Sequence, residues 1–199
     1  MTLPERLNMG DTHHFAKIVK DHLGAVKPQL AEVGVFRGVN AALTLGMLPG
    51  SFLYMVDRWQ AVEGDDDSQE SWWNSGDGTA RLSASEMLQV FYTADVLTKP
   101  FQDRRVMIKA DSVVAASIFR TGALDAVFID DDHSYPGVVR SINAWWPVLR
   151  NGGIMAGHDF GHPKNARGEF GVDKAVAEFV TVHNLDLKTV GSVWWVRKP

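Results

Sequence analysis

The chain has 199 residues, 45% hydrophobic and 22% charged, with a formal net charge of −4. This balance fits one soluble globular domain with a substantial core, residues 1–199 throughout, and the acidic excess argues against nucleic acid as a partner, which needs a basic surface. The absence of cysteine excludes disulfides, thiolate nucleophiles and cysteine-ligated zinc; no apolar run reaches the roughly 18 residues of a membrane span, and no basic-then-apolar leader opens the chain, so no membrane partner and a cytoplasmic location are expected.

Strand and helix patterns alternate along the chain. Residues 1–28 read as a helical lead-in, with helical spacing from His13 to Leu23. Leu30 to Phe36 is the first strand. Val39 to Met47 is a helix stopped by Pro49-Gly50. Phe52 to Val56 is an apolar strand closed by Asp57. Gln60 to Thr79 holds glycines, an Asp65-Asp66-Asp67 run and Trp72-Trp73, and reads as a lid loop over a site or a solvated surface loop. Ser83 to Leu97 is a helix, Arg105 to Lys109 a strand, Val113 to Phe119 a helix, and Leu124 to Ile129 a strand. Tyr135 to Leu149 is predicted as a helix despite Pro147, and Gly153 to Ala156 as a strand. Val172 to His183 is amphipathic, and two strands, Leu185 to Val190 and Ser192 to Val196, close the chain around Gly191. The order predicts an α/β fold: a single-domain, Rossmann-like, doubly wound sheet of about seven strands, mostly parallel with an antiparallel C-terminal strand, flanked by helices.

Seven tryptophans are many for this length. Trp145-Trp146 and Trp194-Trp195 read as packing. Trp59 and Trp72-Trp73, in a loop, read equally as packing or as a pocket wall, and exposed tryptophan would favour a homo-oligomer.

The first strand runs into Glu32-Val33-Gly34-Val35-Phe36-Arg37-Gly38. Glycines there let the backbone approach a ligand and open a helix. The spacing is E-x-G-x-x-x-G, not the G-x-G-x-x-G of dinucleotide folds. An acid at the turn disfavours a phosphate and suits a ligand bearing an ammonium group. Asp57 follows Gly34 by 23 residues at the next strand end, where an acid can hold a ribose diol. Asp111-Ser112 stands at the third strand end; each residue suits a helix N-cap and each lies within reach of an adenine.

The most informative stretch is Val127-Phe128-Ile129-Asp130-Asp131-Asp132-His133-Ser134-Tyr135, an apolar strand ending in three carboxylates and an imidazole. A second polar strand end follows at Gly157-His158-Asp159. In open α/β sheets ligands sit beyond the carboxyl ends of strands. Neighbouring strands would bring Asp130, His133, His158 and Asp159 to one rim, as a metal site, a general-base site or both. Asp132 and Ser134 read as caps for the following helix.

With these features the chain resembles class I S-adenosylmethionine-dependent methyltransferases, and among them the metal-dependent O-methyltransferases of sugars and small molecules. The resemblance rests on the Glu32 to Gly38 turn, Asp57, FIDDDHSYPGVVRSINAWWPVLRNGGIMAGHDF from Phe128 to Phe160, and GVDKAVAEFV from Gly171 to Val180. It implies S-adenosylmethionine as cofactor, with Glu32, Gly34 and Gly38 bordering its methionine part, Asp57 and neighbouring Arg58 at the ribose, Asp111 and Ser112 at the adenine, and Asp130 beside it. It implies a divalent metal, Mg²⁺ or Mn²⁺, on Asp130 and Asp159, with His133 as base. His158 stands where relatives carry a second acid, so it is either a third ligand, which would draw preference toward transition metals, or a proton shuttle. Asp131 replaces a glycine common in this turn. The implied reaction is methylation of a small-molecule hydroxyl, the metal lowering its pKa and His133 or His158 taking its proton. A metal-independent methyltransferase, a metal hydrolase or oxygenase built on Asp130, His158 and Asp159, and a nucleoside-binding module without catalysis are the alternatives. Neither hydrolase nor oxygenase chemistry needs the ribose acid.

Overall fold

The computed structural model describes residues 13–61 and 82–199. Among the described residues seven strands form one sheet: β1 (Gln29–Val33), β2 (Phe52–Asp57), β3 (Arg105–Lys109), β4 (Leu124–Ile129), β5 (Leu149–Gly157), β6 (Lys188–Val190) and β7 (Val193–Arg197). Their order is β3-β2-β1-β4-β5-β7-β6. The first five pair in parallel, and β7 runs antiparallel to both β5 and β6. This is the predicted doubly wound sheet with its antiparallel finish.

The central strands are apolar on both faces because helices cover both. On one side Phe15, Ile18 and Val19 of α1 (His14–His22), Leu45 of α2 (Val39–Met47) and Val90 of α3 (Ala84–Thr98) meet Leu30, Leu53 and Phe128. On the other, Ala115 of α4 (Ser112–Ala116), Ile142 and Trp145 of α5 (Tyr135–Trp145) and Val176 of α7 (Val172–His183) meet Ala31, Val127 and Met155. Leu30 and Ala31 fall on opposite faces, as the period of two requires. A short α6 (Pro163–Ala166) precedes α7.

Several boundaries differ from the sequence reading, each for a local reason. The first strand ends at Val33 rather than Phe36, because Gly34 turns the chain at φ +89°. Helix α5 stops at Trp145 rather than Leu149: Pro147 brings no amide to a helical ladder, and Leu149 already pairs with Leu124 in the sheet. Helix α4 begins at Ser112 and ends at Ala116, where the Ser117 hydroxyl bonds the Val114 carbonyl at 2.7 Å and the turn tightens to three-residue bonds. Helix α6 carries no apolar periodicity and was not foreseen. It rests on His162, whose Nδ1 accepts from the Lys164 amide, and on Pro163 at its start.

Trp59, Trp145, Trp194 and Trp195 are buried, and half-buried Trp146 packs on Phe179, so both doublets and Trp59 are packing residues. Trp72-Trp73 and the loop from Gln60 to Thr79, apart from Gln60 and Ala61, lie outside the described residues, as do residues 1–12 of the lead-in. Among the described residues no helix is long and apolar enough to cross a membrane.

Candidate active site

The parallel ladder continues one step past the strands and sets the site on one rim. Gly34 N donates to Val56 O, Ala110 N to Asp57 O, Asp130 N to Val33 O and His158 N to Ile129 O, at 2.7–3.1 Å. Gly34, Asp57, Asp111, Asp130 and His158 therefore share the carboxyl edge. A cavity of about 430 Å³ opens there, and its wall includes Gly34, Asp57, Arg58, Asp111, Ser112, Asp130, His133, His158 and Asp159.

Gly34 cannot be replaced by a larger residue without a clash: a Cβ would stand 1.9 Å from the Asp130 carbonyl oxygen. Asp57 braces the same turn. Its Oδ2 accepts from the Phe36 amide at 2.8 Å and its Oδ1 from the Trp59 amide at 2.7 Å, while the Trp59 indole donates to the Phe36 carbonyl at 2.9 Å. Phe36 and Trp59 hold left-handed backbones at φ 49° and 39°, conformations that persist only when their surroundings fix them. Burial raises the Asp57 pKa, and the Trp59 and Phe36 amides oppose the rise.

Glu32 and Gly38 are not on the described cavity wall. Gly38 begins α2 at φ +77°, and a Cβ there would meet Ala94 of α3 at 3.0 Å, so the glycine serves close helix packing. Glu32 is 1% exposed, and its Oε2 has no partner among the described residues. Burial, then the nearby Asp130 charge, push its pKa well above the usual carboxylate range.

Asp111 fills the N-cap of α4, its Oδ1 accepting from Val113 and Val114 amides. The Ser112 hydroxyl takes the Trp145 indole N–H at 3.1 Å and shares a 2.9 Å hydrogen bond with Ser141, which donates to Asp131 Oδ2 at 2.6 Å. This network ties the β3–α4 turn to the β4–α5 turn, and burial pushes the Asp131 carboxyl up to about 6 despite the Ser141 bond. Asp132 and Ser134 cap the start of α5, accepting from the Ser134 and Gly137 amides.

The four residues expected on the rim do meet. His133 Nε2 lies 2.9 Å from Asp159 Oδ2 and 3.4 Å from Asp130 Oδ1. His158 Nδ1 lies 3.3 Å from Asp159 Oδ1 and 4.0 Å from Asp130 Oδ1, and its Nε2 is 2.8 Å from the Ser192 hydroxyl. Asp159 stands between the two imidazoles on a left-handed backbone at φ 61°. Burial would raise its pKa, but hydrogen bonds from His133 and His158 outweigh burial and hold it well below the usual range. One donor atom each from Asp130, His133 and Asp159 lie within 4.8 Å of one another; the sequence reading grouped His158 with the two aspartates, and its Nδ1 lies 3.3 Å from Asp159 Oδ1.

Three contributors escaped the sequence. Ser141, Ser192 and Phe170 reach the site from distant elements. Phe170 stacks on the His133 ring with centroids 4.5 Å apart, 37 positions along the chain, and no local pattern marks such a contact.

The model of a methyltransferase domain family, methyltransferase family 24, matches residues 31–160. The chain belongs to this family. It is a class I, S-adenosylmethionine-dependent methyltransferase, and the matched span contains every rim residue from Gly34 to Asp159. No curated protein matches its sequence. Solved structures share the fold at low identity. The O-methyltransferase from Bacillus cereus in complex with SAH is 14% identical, with 98% of this chain and 84% of that one covered at a TM-score of 0.62. The O-methyltransferase NovP is 15% identical, with 94% and 78% covered at 0.62. CalS11, a calicheamicin methyltransferase, is 14% identical, with 93% and 77% covered at 0.63. Family membership leaves the hydrolase and oxygenase reading without support.

Proposed function

We propose that this methyltransferase methylates a hydroxyl of a small molecule of sugar or natural-product type, one bearing a vicinal diol, with a divalent metal at Asp130, Asp159 and His158. The observation that carries the proposal is the convergence of Asp130, His133, His158 and Asp159 at one end of the cavity. Neighbours described as O-methyltransferases agree with a hydroxyl acceptor.

The residues fit the cofactor. Six aspartates on the cavity wall face two arginines, Arg58 and Arg140, an electrostatic surface suited to a ligand carrying sulfonium and ammonium charges. Behind the wall, Glu32 Oε2, without a partner among the described residues, matches an ammonium group reached through a water. Asp57 keeps lone pairs beyond the two amides it accepts and can receive ribose hydroxyls. S-adenosylmethionine supplies an electrophilic methyl group on sulfur.

The residues also fit a divalent cation: two carboxylates and an imidazole are a common donor set. When bound, such a cation lowers the pKa of a coordinated hydroxyl. In the tautomer that carries its proton on Nδ1, His133 would receive the acceptor's proton at Nε2, and Asp159 Oδ2, 2.9 Å away, would then accept the new N–H. The three-donor grouping of Asp130, His133 and Asp159 favours a second assignment, in which His133 is the ligand and His158, backed by Ser192, is the base.

Incubation with radiolabelled S-adenosylmethionine and a set of vicinal-diol acceptors, with and without Mg²⁺ or Mn²⁺, tests the proposal. Metal-stimulated transfer to oxygen, reduced about 10²- to 10⁴-fold in His133→Ala, is expected. Transfer confined to nitrogen acceptors, or transfer indifferent to His133 and His158 alike, would refute it.

A further inference from the structure

The His133 ring is held from outside the cavity. Phe170 is 8% exposed and is absent from the described cavity wall. Its ring lies on His133 with centroids 4.5 Å apart and planes 20° apart. Phe170 also stacks on His162, at 5.2 Å and 27°. Lys164 Nζ sits 4.7 Å from the Phe170 ring centroid, and the Phe170 amide bonds the Lys164 carbonyl at 3.2 Å.

The backbone makes the same connection. Gly171 N donates to the His133 carbonyl at 2.8 Å. A Cβ at Gly171 would stand 2.3 Å from Tyr135 Cα, so only glycine lets this segment lie against the start of α5. The contact that brings Phe170 over His133 is thus built into main chain and side chain together. An imidazole that rotates about χ1 and χ2 has several staggered and broad wells; a ring stacked on one face and bonded at Nε2 has one.

We propose that Phe170 is a positioning residue for methyl transfer: its ring fixes the plane of His133 so that Nε2 stays beside Asp159 at the acceptor end of the cavity. The inference rests on His133 acting as the base or as a ligand at the acceptor end. Phe170 itself touches neither cofactor nor acceptor. Its effect appears in turnover rather than in cofactor binding, because a misplacement of about 1 Å at a reacting group costs about 10²-fold in rate.

The test compares Phe170→Leu, Phe170→Tyr and His133→Gln in the full chain. Histidine-labelled protein is followed by carbon–proton NMR, with the His133 signal assigned by its loss in His133→Gln. A ring lying over Phe170 has its carbon-bound protons shifted by the aromatic ring current. Phe170→Leu is expected to move the His133 signal and to lower kcat about 10- to 100-fold, with the KM for S-adenosylmethionine within about twofold of wild type. Phe170→Tyr, which keeps the stack, is expected to restore both. Unchanged kcat and an unmoved His133 signal in folded Phe170→Leu, with His133→Gln inactive, overturn the proposal and leave the role of His133 intact. Full activity in His133→Gln overturns the role of His133, and the inference with it.

Discussion

Asp57 holds Phe36: the carboxylate at the end of β2 accepts the Phe36 amide at 2.8 Å and so closes the glycine turn that follows β1. Its other oxygen takes Trp59 at 2.7 Å. The acid that the cofactor's ribose would meet is therefore also the brace of the turn. Asp57→Ala removes both bonds and leaves two amides unpaired. Hydrogen bonds to a charged group contribute about 1.5–3 kcal/mol each: losing the two to the amides lowers the melting temperature, and losing those to the two ribose hydroxyls is expected to cut S-adenosylmethionine affinity at least about 100-fold. Calorimetry and thermal melts check both; retained affinity would show that the ribose is held elsewhere.

Gly34 and Gly24 both have positive φ, at +89° and +67°, yet only Gly34 is crowded. Gly34→Ala drives a methyl to 1.9 Å from a backbone oxygen, whereas Gly24→Ala meets nothing within 4 Å. Gly24→Ala should cost about 1 kcal/mol, the left-handed penalty alone. Gly34→Ala should exceed about 3 kcal/mol or fail to fold. Denaturant melts of the pair read the difference, and equal costs would contradict the close approach of β1 to β4.

Burial pushes Asp131 up to about 6 from an ordinary 3.8. The folded chain thus binds the proton more tightly than the unfolded one. This contribution is fully present below about pH 4 and is lost as pH rises through about 6. Asp131→Asn keeps an acceptor for Ser141 without the charge. It is expected to stabilise the protein by about 1–3 kcal/mol at pH 8, with the gain fading toward pH 4. Melting temperatures of both proteins at the two pH values check the sign.

Mn²⁺ titration separates the two imidazoles. Asp130→Ala and Asp159→Ala are each expected to abolish binding of one ion. His158→Ala should weaken it at least about tenfold, and His133→Ala should keep the ion but lose kcat. The reverse pattern would select the second assignment, with His133 as ligand.

The sheet was legible because its strands are contiguous apolar runs with glycine or proline punctuation, and because Phe128–His133 states a strand end and its chemistry in six residues. The rim was legible for the same reason: in a parallel sheet, polar residues that close successive strands must share an edge. What escaped reading was long-range. Phe170 lies on His133, Ser192 on His158 and Ser141 on Asp131 through tertiary packing with no local period. Pro147 was a legible stop, but the apolar pattern to Leu149 outweighed it, because the first residues of a buried strand look like the last turn of a buried helix. Gly38 carried a motif spacing, but its crowding by Ala94 belongs to helix packing.

The central claim is that the cavity at the carboxyl rim takes S-adenosylmethionine. Calorimetric titration of S-adenosylmethionine into metal-free protein, repeated with Mg²⁺ present, tests it most directly. Saturable binding at one site per chain, present in both conditions, is the predicted result. Folded protein that gives no saturable heat in either condition would contradict the account.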